Sequence, residues 1–289
     1  FLPSKTQNAG SDPRPPLMNN DDRKLTEIAG MPLQEIKEEF ISLAELQRRI
    51  MPDPEPLTVF GEYDIFGKTL PIAVIGGDYL DFIDLEGRFG MPGRMGVVVA
   101  DAAGHGLVAA MLIRDFNTAL YTAISFQSHY EKDTTPLLFT KINRRMYRSS
   151  QSNQFISAFY GELHVDGTVR YINAGHYSPF LFKEDAIVSL DVGGPVLGAF
   201  RDYKTGFEVG ESRMDEGDIL VCFTDGMVEA ENGAGEAYEL ERLKQIVLDN
   251  RDQDAITIFN RLIEDVEQFS REVGQADDRT VIVIKKIGH

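Results

Sequence analysis

The grouping of short β-type runs constrains this chain more than any other feature. Apolar stretches suited to strands fall at 57–63, 70–75, 79–85 and 95–100, then at 155–164, 168–173, 179–182, 186–190, 205–209 and 218–223, with a last one at 280–285. Helical periodicity appears at 106–128, 136–149, 239–250 and 254–269, and the first of these is apolar on nearly every side, which predicts a buried helix. Strands and helices that come in runs, instead of alternating one by one, call for antiparallel sheets in an α+β fold and argue against a doubly wound parallel one.

The N-terminal fifth has a different texture. Residues 1–20, rich in Pro, Asn, Ser and Gly, read as a flexible leader, and 21–52 as a helical linker or regulatory segment. In its second helix Leu33, Ile36, Phe40, Leu43 and Ile50 recur at spacings of three and four, with Gln47 at the one polar seam position. The pattern is shorter than three heptads, so a coiled-coil seam and a helix docked on its own domain both stay open. Pro52, Pro54 and Pro56 close the helix, because each removes a backbone donor and restricts the residue before it. The remainder, 53–289, reads as one domain.

Charge and cysteine content narrow the function classes. With 29 Lys and Arg against 46 Asp and Glu the net charge is −17, which repels a phosphate backbone and excludes nucleic acid as a partner. Residues 1–52 hold 7 basic and 8 acidic side chains, so the excess belongs to the body of the chain. The single cysteine, Cys222, lies in the apolar run 219–223 and is expected to be a buried strand thiol. No stretch is expected to span a membrane, the start is too polar for a signal peptide, and a cytoplasmic location is expected.

Four sites share one local grammar, an Asp at the end of an apolar strand beside small or turn-forming residues. They are Gly76-Gly77-Asp78, Asp101-Ala102-Ala103-Gly104-His105-Gly106, Thr224-Asp225-Gly226 and Asp277-Asp278-Arg279. Carboxylates gathered at strand ends repel one another unless cations neutralise them, and an all-oxygen donor set selects Mg²⁺ or Mn²⁺ over Zn²⁺ or Cu. Any one such Asp alone is ordinary turn chemistry. The series points to metal.

The segments GGDYLDFI at 76–83, DAAGHG at 101–106, NAGHYSPFLF at 173–182, GDILVCFTDGMVEAEN at 217–232 and DDRTVIVI at 277–284 resemble, in order, the signatures of the PPM-type metal-dependent serine/threonine phosphatases. The nearest likeness is to the bacterial SpoIIE/RsbU branch, to which GGPVLGAF at 193–200 and LAELQRRIMPDPEP at 43–56 are also similar. The resemblance implies a four-layer α-β-β-α sandwich with two antiparallel sheets and two Mn²⁺ or Mg²⁺ ions at one edge. It further implies that Asp101 bridges both ions, the Ala102 carbonyl and Asp78 serve one, and Asp225 and Asp277 complete the other. Asp278 is then a reserve or supporting carboxylate. His105 is a candidate general acid, against a plainer role as a polar residue starting the buried helix. For His176 a loop histidine bonded to backbone is the favoured expectation. No Arg precedes the first motif, so phosphate recognition would rest on the metals.

By the same resemblance the substrate is a phosphoserine or phosphothreonine on a regulatory protein, typically an anti-sigma factor antagonist. The 32–50 helix would link the domain to an upstream sensor or activator, with a homodimer left open. Two other classes compete: a non-catalytic phosphoprotein-binding module of the same fold, and another two-metal phosphoesterase.

Overall fold

The computed structural model describes residues 30, 33–51, 57–104, 106–127, 135–150 and 154–288. The expected leader at 1–20, the helix at 21–29 and the prolines at 52, 54 and 56 lie outside the described residues. By its contacts the chain divides into two compact units, 1–42 and 43–289. The helix α1 (Leu33–Arg48) begins in the first and ends in the second.

Two sheets make the second unit. One runs in the order β1 (Leu57–Phe60), β2 (Tyr63–Leu70), β12 (Arg279–Lys286), β11 (Ile219–Phe223), β7 (Phe180–Phe182) and β8 (Ile187–Ser189). The other runs β10 (Gly210–Arg213), β6 (Thr168–Ala174), β5 (Ile156–His164), β4 (Arg94–Ala102) and β3 (Asp78–Asp84), with the short β9 (Gly193–Gly194) parallel to β6. Their remaining pairings are antiparallel.

The strand sequences show why the sheets stack. In β4 Val97 and Val99 enter the cluster between the sheets, while Val98, Ala100 and Ala102 enter the cluster on the opposite face. In β12 Ile282 and Ile284 face between the sheets, and Val281 and Val283 face the other way. Period-two alternation with both faces apolar requires cover on both sides. Helices α3 (Leu107–Gln127) and α4 (Thr135–Ser149) supply it on the β4 side, and α6 (Leu240–Asp249) and α7 (Ala255–Phe269) on the β12 side. The result is the expected α-β-β-α sandwich. Helix α7 is typical of its construction: Ile258, Leu262 and Val266 recur every fourth residue and are fully buried, and the Asp254 carboxylate caps it by accepting from Thr257 N at 2.9 Å.

Three sequence expectations are corrected. The run at 57–63 is split by a turn at Gly61-Glu62, and β2 takes the place of the expected strand at 70–75, which is a loop. That loop exposes Ile72 and Val74, and its backbone is held by side chains instead of a ladder. The expected strand at 205–209 is irregular, and pairing with β6 starts only at Gly210. Helix α3 is long and apolar enough to cross a membrane, contrary to the expectation that no stretch is; nine of its residues, among them Ile113, Phe116 and Leu120, are buried, as the core helix of a sandwich requires.

Candidate metal centre and active site

Asp78 opens β3 and Asp101 lies one residue before the end of β4, and the antiparallel register sets them directly opposite each other. Across the sandwich β11 ends at Phe223, Thr224 follows, and Asp225 begins the short helix α5 (Asp225–Val228), while Asp277 and Asp278 lead into β12. The two edges are tied together. Thr224 Oγ1 donates to Asp78 Oδ2 at 2.8 Å and Thr280 Oγ1 donates to the same oxygen at 2.6 Å. Because the Thr280 hydroxyl has only one proton, Thr69 is the donor in its 2.9 Å contact with Thr280.

The electrostatics follow from this convergence. Burial, then the charges of Asp225 and Asp277, push Asp101 up to about 7. Burial and the Asp101 charge hold Asp78 well above the usual carboxylate range, against the two threonine bonds that favour its ionised form. Asp225 is raised by burial, by Asp277 and by Glu229. Carboxylates that raise one another in a partly buried edge suit divalent cations and hard oxygen coordination. Among the described residues no three His, Cys, Asp or Glu side chains stand close enough together to hold a metal ion as they are placed. By charge and donor type alone, the raised carboxylates of Asp78, Asp101 and Asp225 suit hard divalent cations.

Asp278 is engaged differently. Its Oδ1 accepts from Ile72 N at 2.8 Å and its Oδ2 from Gly77 N at 2.7 Å, so it pins the loop that delivers Asp78. Glycine is needed there: a Cβ on Gly76 would run into the Asp278 carboxylate, and one on Gly226 into the Asp278 carbonyl oxygen. The loop is held from its other side by Gln47 at the end of α1, whose Nε2 donates to Gly76 O at 2.7 Å while Oε1 accepts from Gly76 N at 3.2 Å. The polar position of the α1 seam is thus a backbone clamp two residues from Asp78. Ala102 is fully buried, its N–H donates to Gly77 O at 3.1 Å, and its carbonyl oxygen faces Gly77.

His105 lies outside the described residues. His176 is buried, its Nδ1 2.7 Å from Ser157 Oγ and its Nε2 3.1 Å from Phe223 O. Ser157 pairs with Asp101 across β4 and β5, so His176 links the two sheets beneath the carboxylates. Three contributors escaped the sequence reading. Thr224 and Thr280 carry no motif distinct from a strand residue. Glu229 stands one helical turn after Asp225, acts on both Asp101 and Asp225, and accepts a 2.7 Å bond from Tyr177 Oη; its i+4 spacing was the available signal.

Residues 91–286 match the family described as Stage II sporulation protein E (SpoIIE). The chain belongs to the SpoIIE family. Among curated relatives, the phosphoserine phosphatase RsbU of Bacillus subtilis (strain 168) is 26% identical over 264 residues, covering 88% of this chain and 71% of RsbU. Among solved structures, the SiaA-PP2C domain of Pseudomonas aeruginosa superposes with a TM-score of 0.71 at 19% identity, over 87% of this chain and 97% of that one. The RsbU and RsbW domains of Rv1364c from Mycobacterium tuberculosis give 0.62 at 25% identity, over 80% of this chain and 61% of that one. This SpoIIE-family chain is a protein phosphatase with the PP2C fold.

Proposed function

We propose that this chain is a metal-dependent protein serine/threonine phosphatase that hydrolyses a phosphoserine or phosphothreonine monoester on a regulatory protein. The reading is supported by Asp78 and Asp101 standing opposite each other in one sheet, with Asp225 and Asp277 of the other sheet near enough to raise Asp101. Two ions, Mn²⁺ or Mg²⁺, would be held by Asp101 between them, by the Ala102 carbonyl and Asp78 on one side, and by Asp225 and Asp277 on the other. Bound there, they would supply a nucleophilic hydroxide from water near neutral pH and neutralise charge on the phosphoryl oxygens.

The protein's own part is to present oxygens without collapse. Thr224 and Thr280 both donate to Asp78 Oδ2 and so fix the orientation of that buried carboxylate. With both oxygens of Asp278 spent on backbone amides, Asp277 is the better ligand of the pair. Tyr177 orients Glu229, which adds negative charge beside Asp225 and strengthens the demand for cations. Gln47 gives α1 a direct grip on the Asp78 loop, which supports the 32–50 helix as the route by which an upstream sensor or activator, or a second copy of the chain, controls assembly of the site.

The motif resemblance to the SpoIIE/RsbU branch favours an anti-sigma factor antagonist as the regulatory protein, and RsbU itself is a phosphoserine phosphatase. The test is Mn²⁺-dependent release of phosphate from a phosphoserine peptide. Asp101→Asn and Asp225→Asn should each lose at least about a hundredfold in rate while keeping the fold, since the ions supply the nucleophile. Wild-type rates in either variant would end the assignment, and no turnover by the wild type would favour a binding module.

A further inference from the structure

A chain of net charge −17 with carboxylates at its active edge repels an acidic phosphoprotein at long range. One surface beside that edge has the opposite character. Residues 135–150 contain Lys141, Arg144, Arg145 and Arg148 and no acidic residue. Arg144 and Arg148 of α4, with Arg201 and Asp202 of the following loop region, line a surface cavity of about 270 Å³. Asp202 pairs with both Arg144 at 3.0 Å and Arg201 at 3.8 Å, and Arg145 pairs with Asp115 at 2.7 Å, whereas Arg148 has no ion pair with a described residue. Three arginines against one aspartate leave the lining of this cavity net positive after these pairs. Phe200, 59% exposed, and Tyr147, 42% exposed, stand among the arginines. Aromatic side chains interleaved with arginine are the composition of protein interfaces.

The surface is fixed to the catalytic edge by a short chain of contacts. Asp101 pairs with Ser157 at the start of β5, and Ile156 beside it exchanges backbone bonds of 2.9 and 2.7 Å with Leu197. Gly198 N then donates to Asn143 Oδ1 at 2.9 Å, and Asn143 Nδ2 donates to Phe200 O at 2.8 Å. Two strand spacings, about 10 Å, therefore separate the backbone at Asp101 from that at Leu197, where the chain leads on to Phe200 and Arg201.

We propose that the Arg144/Arg148/Arg201 surface is the docking site for an acidic segment of the phosphoprotein substrate, and that it supplies the attraction which the rest of the chain denies. The proposal rests on the phosphatase reading above for its link to turnover, but the surface itself can be tested without it. The probes are two synthetic phosphoserine peptides, one with four Asp/Glu residues placed four to eight positions from the phosphoserine, the other with Asn/Gln there. In the presence of Mn²⁺ the wild type should favour the acidic peptide by about tenfold in kcat/KM, mainly through KM, as expected for several exposed pairs of modest strength. In the variant Arg144→Gln/Arg148→Gln/Arg201→Gln that preference should vanish, with p-nitrophenyl phosphate turnover unchanged; Arg148→Gln alone, which disturbs no ion pair among the described residues, should remove part of it. Fluorescence anisotropy of the same labelled acidic peptide without its phosphate separates the two readings, since weaker binding by the triple variant supports the surface even if no phosphate is released. Equal handling of the two peptides by the wild type, equal loss on peptide and on p-nitrophenyl phosphate, or unchanged binding by the triple variant would each overturn it.

Discussion

Acid should weaken this fold through one histidine, and the size of the effect follows from its surroundings. His176 is buried against Ser157 and Phe223 O, and burial lowers it from the ordinary histidine value to about 4, opposed only by the Phe223 carbonyl. The unfolded chain takes up that proton below about pH 6.5, while the folded chain resists it until about pH 4. The stability it contributes is therefore complete above pH 6.5 and is lost as the pH falls toward 4, at about 1.4 kcal/mol per pH unit. Between pH 7 and pH 5 the loss amounts to about 2 kcal/mol. Urea unfolding of the wild type and of His176→Gln at both pH values measures it, because carboxylates common to both proteins cancel in the difference. The wild type should lose about 2 kcal/mol more than the variant. Parallel losses would show that the imidazole is not held neutral between the sheets, and the role of His176 as their link would fall with it.

Thr280→Val removes one of the two hydroxyls on Asp78 Oδ2 and leaves Thr69 without its acceptor; Mn²⁺-dependent peptide turnover should fall about tenfold, with a loss of about 1–3 kcal/mol in urea unfolding. Gly226→Ala drives a Cβ into the Asp278 carbonyl oxygen, so it should destabilise by about 1–3 kcal/mol and lower turnover more than the same change at Gly235, where nothing is within reach and only the backbone is strained. Gln47→Ala frees Gly76 from α1 and should weaken Mn²⁺ activation, read as a several-fold rise in the Mn²⁺ concentration needed for half-maximal rate with an unchanged plateau.

What could be read in the sequence was whatever announces itself locally. The strands of β4, β11 and β12 carry unbroken apolar runs because both of their faces are covered, and a run of that kind is visible without knowing its partner. The Asp residues were visible because each interrupts such a run at its end. What stayed hidden depends on residues far apart in the chain. Nothing near Ile72 tells that Asp278, 206 positions away, will hold its amide, so an apolar loop was taken for a strand. Thr224 and Thr280 look like ordinary strand-end residues until Asp78 is brought between them from the other sheet. Gln47 broke the seam of α1 for a reason that lies 29 residues on, at Gly76. The basic face of α4 went unread in the sequence, because its meaning depends on the loop that Asn143 holds at Gly198 and Phe200.

The central claim is that carboxylates from two sheets share cations at one edge. Anomalous scattering from a crystal grown with Mn²⁺, recorded at the manganese edge, addresses it directly. Two peaks about 4 Å apart, both in contact with Asp101 and flanked by Asp78 on one side and by Asp225 and Asp277 on the other, are the expected result; peaks elsewhere on the surface, or none at Asp101, would contradict it.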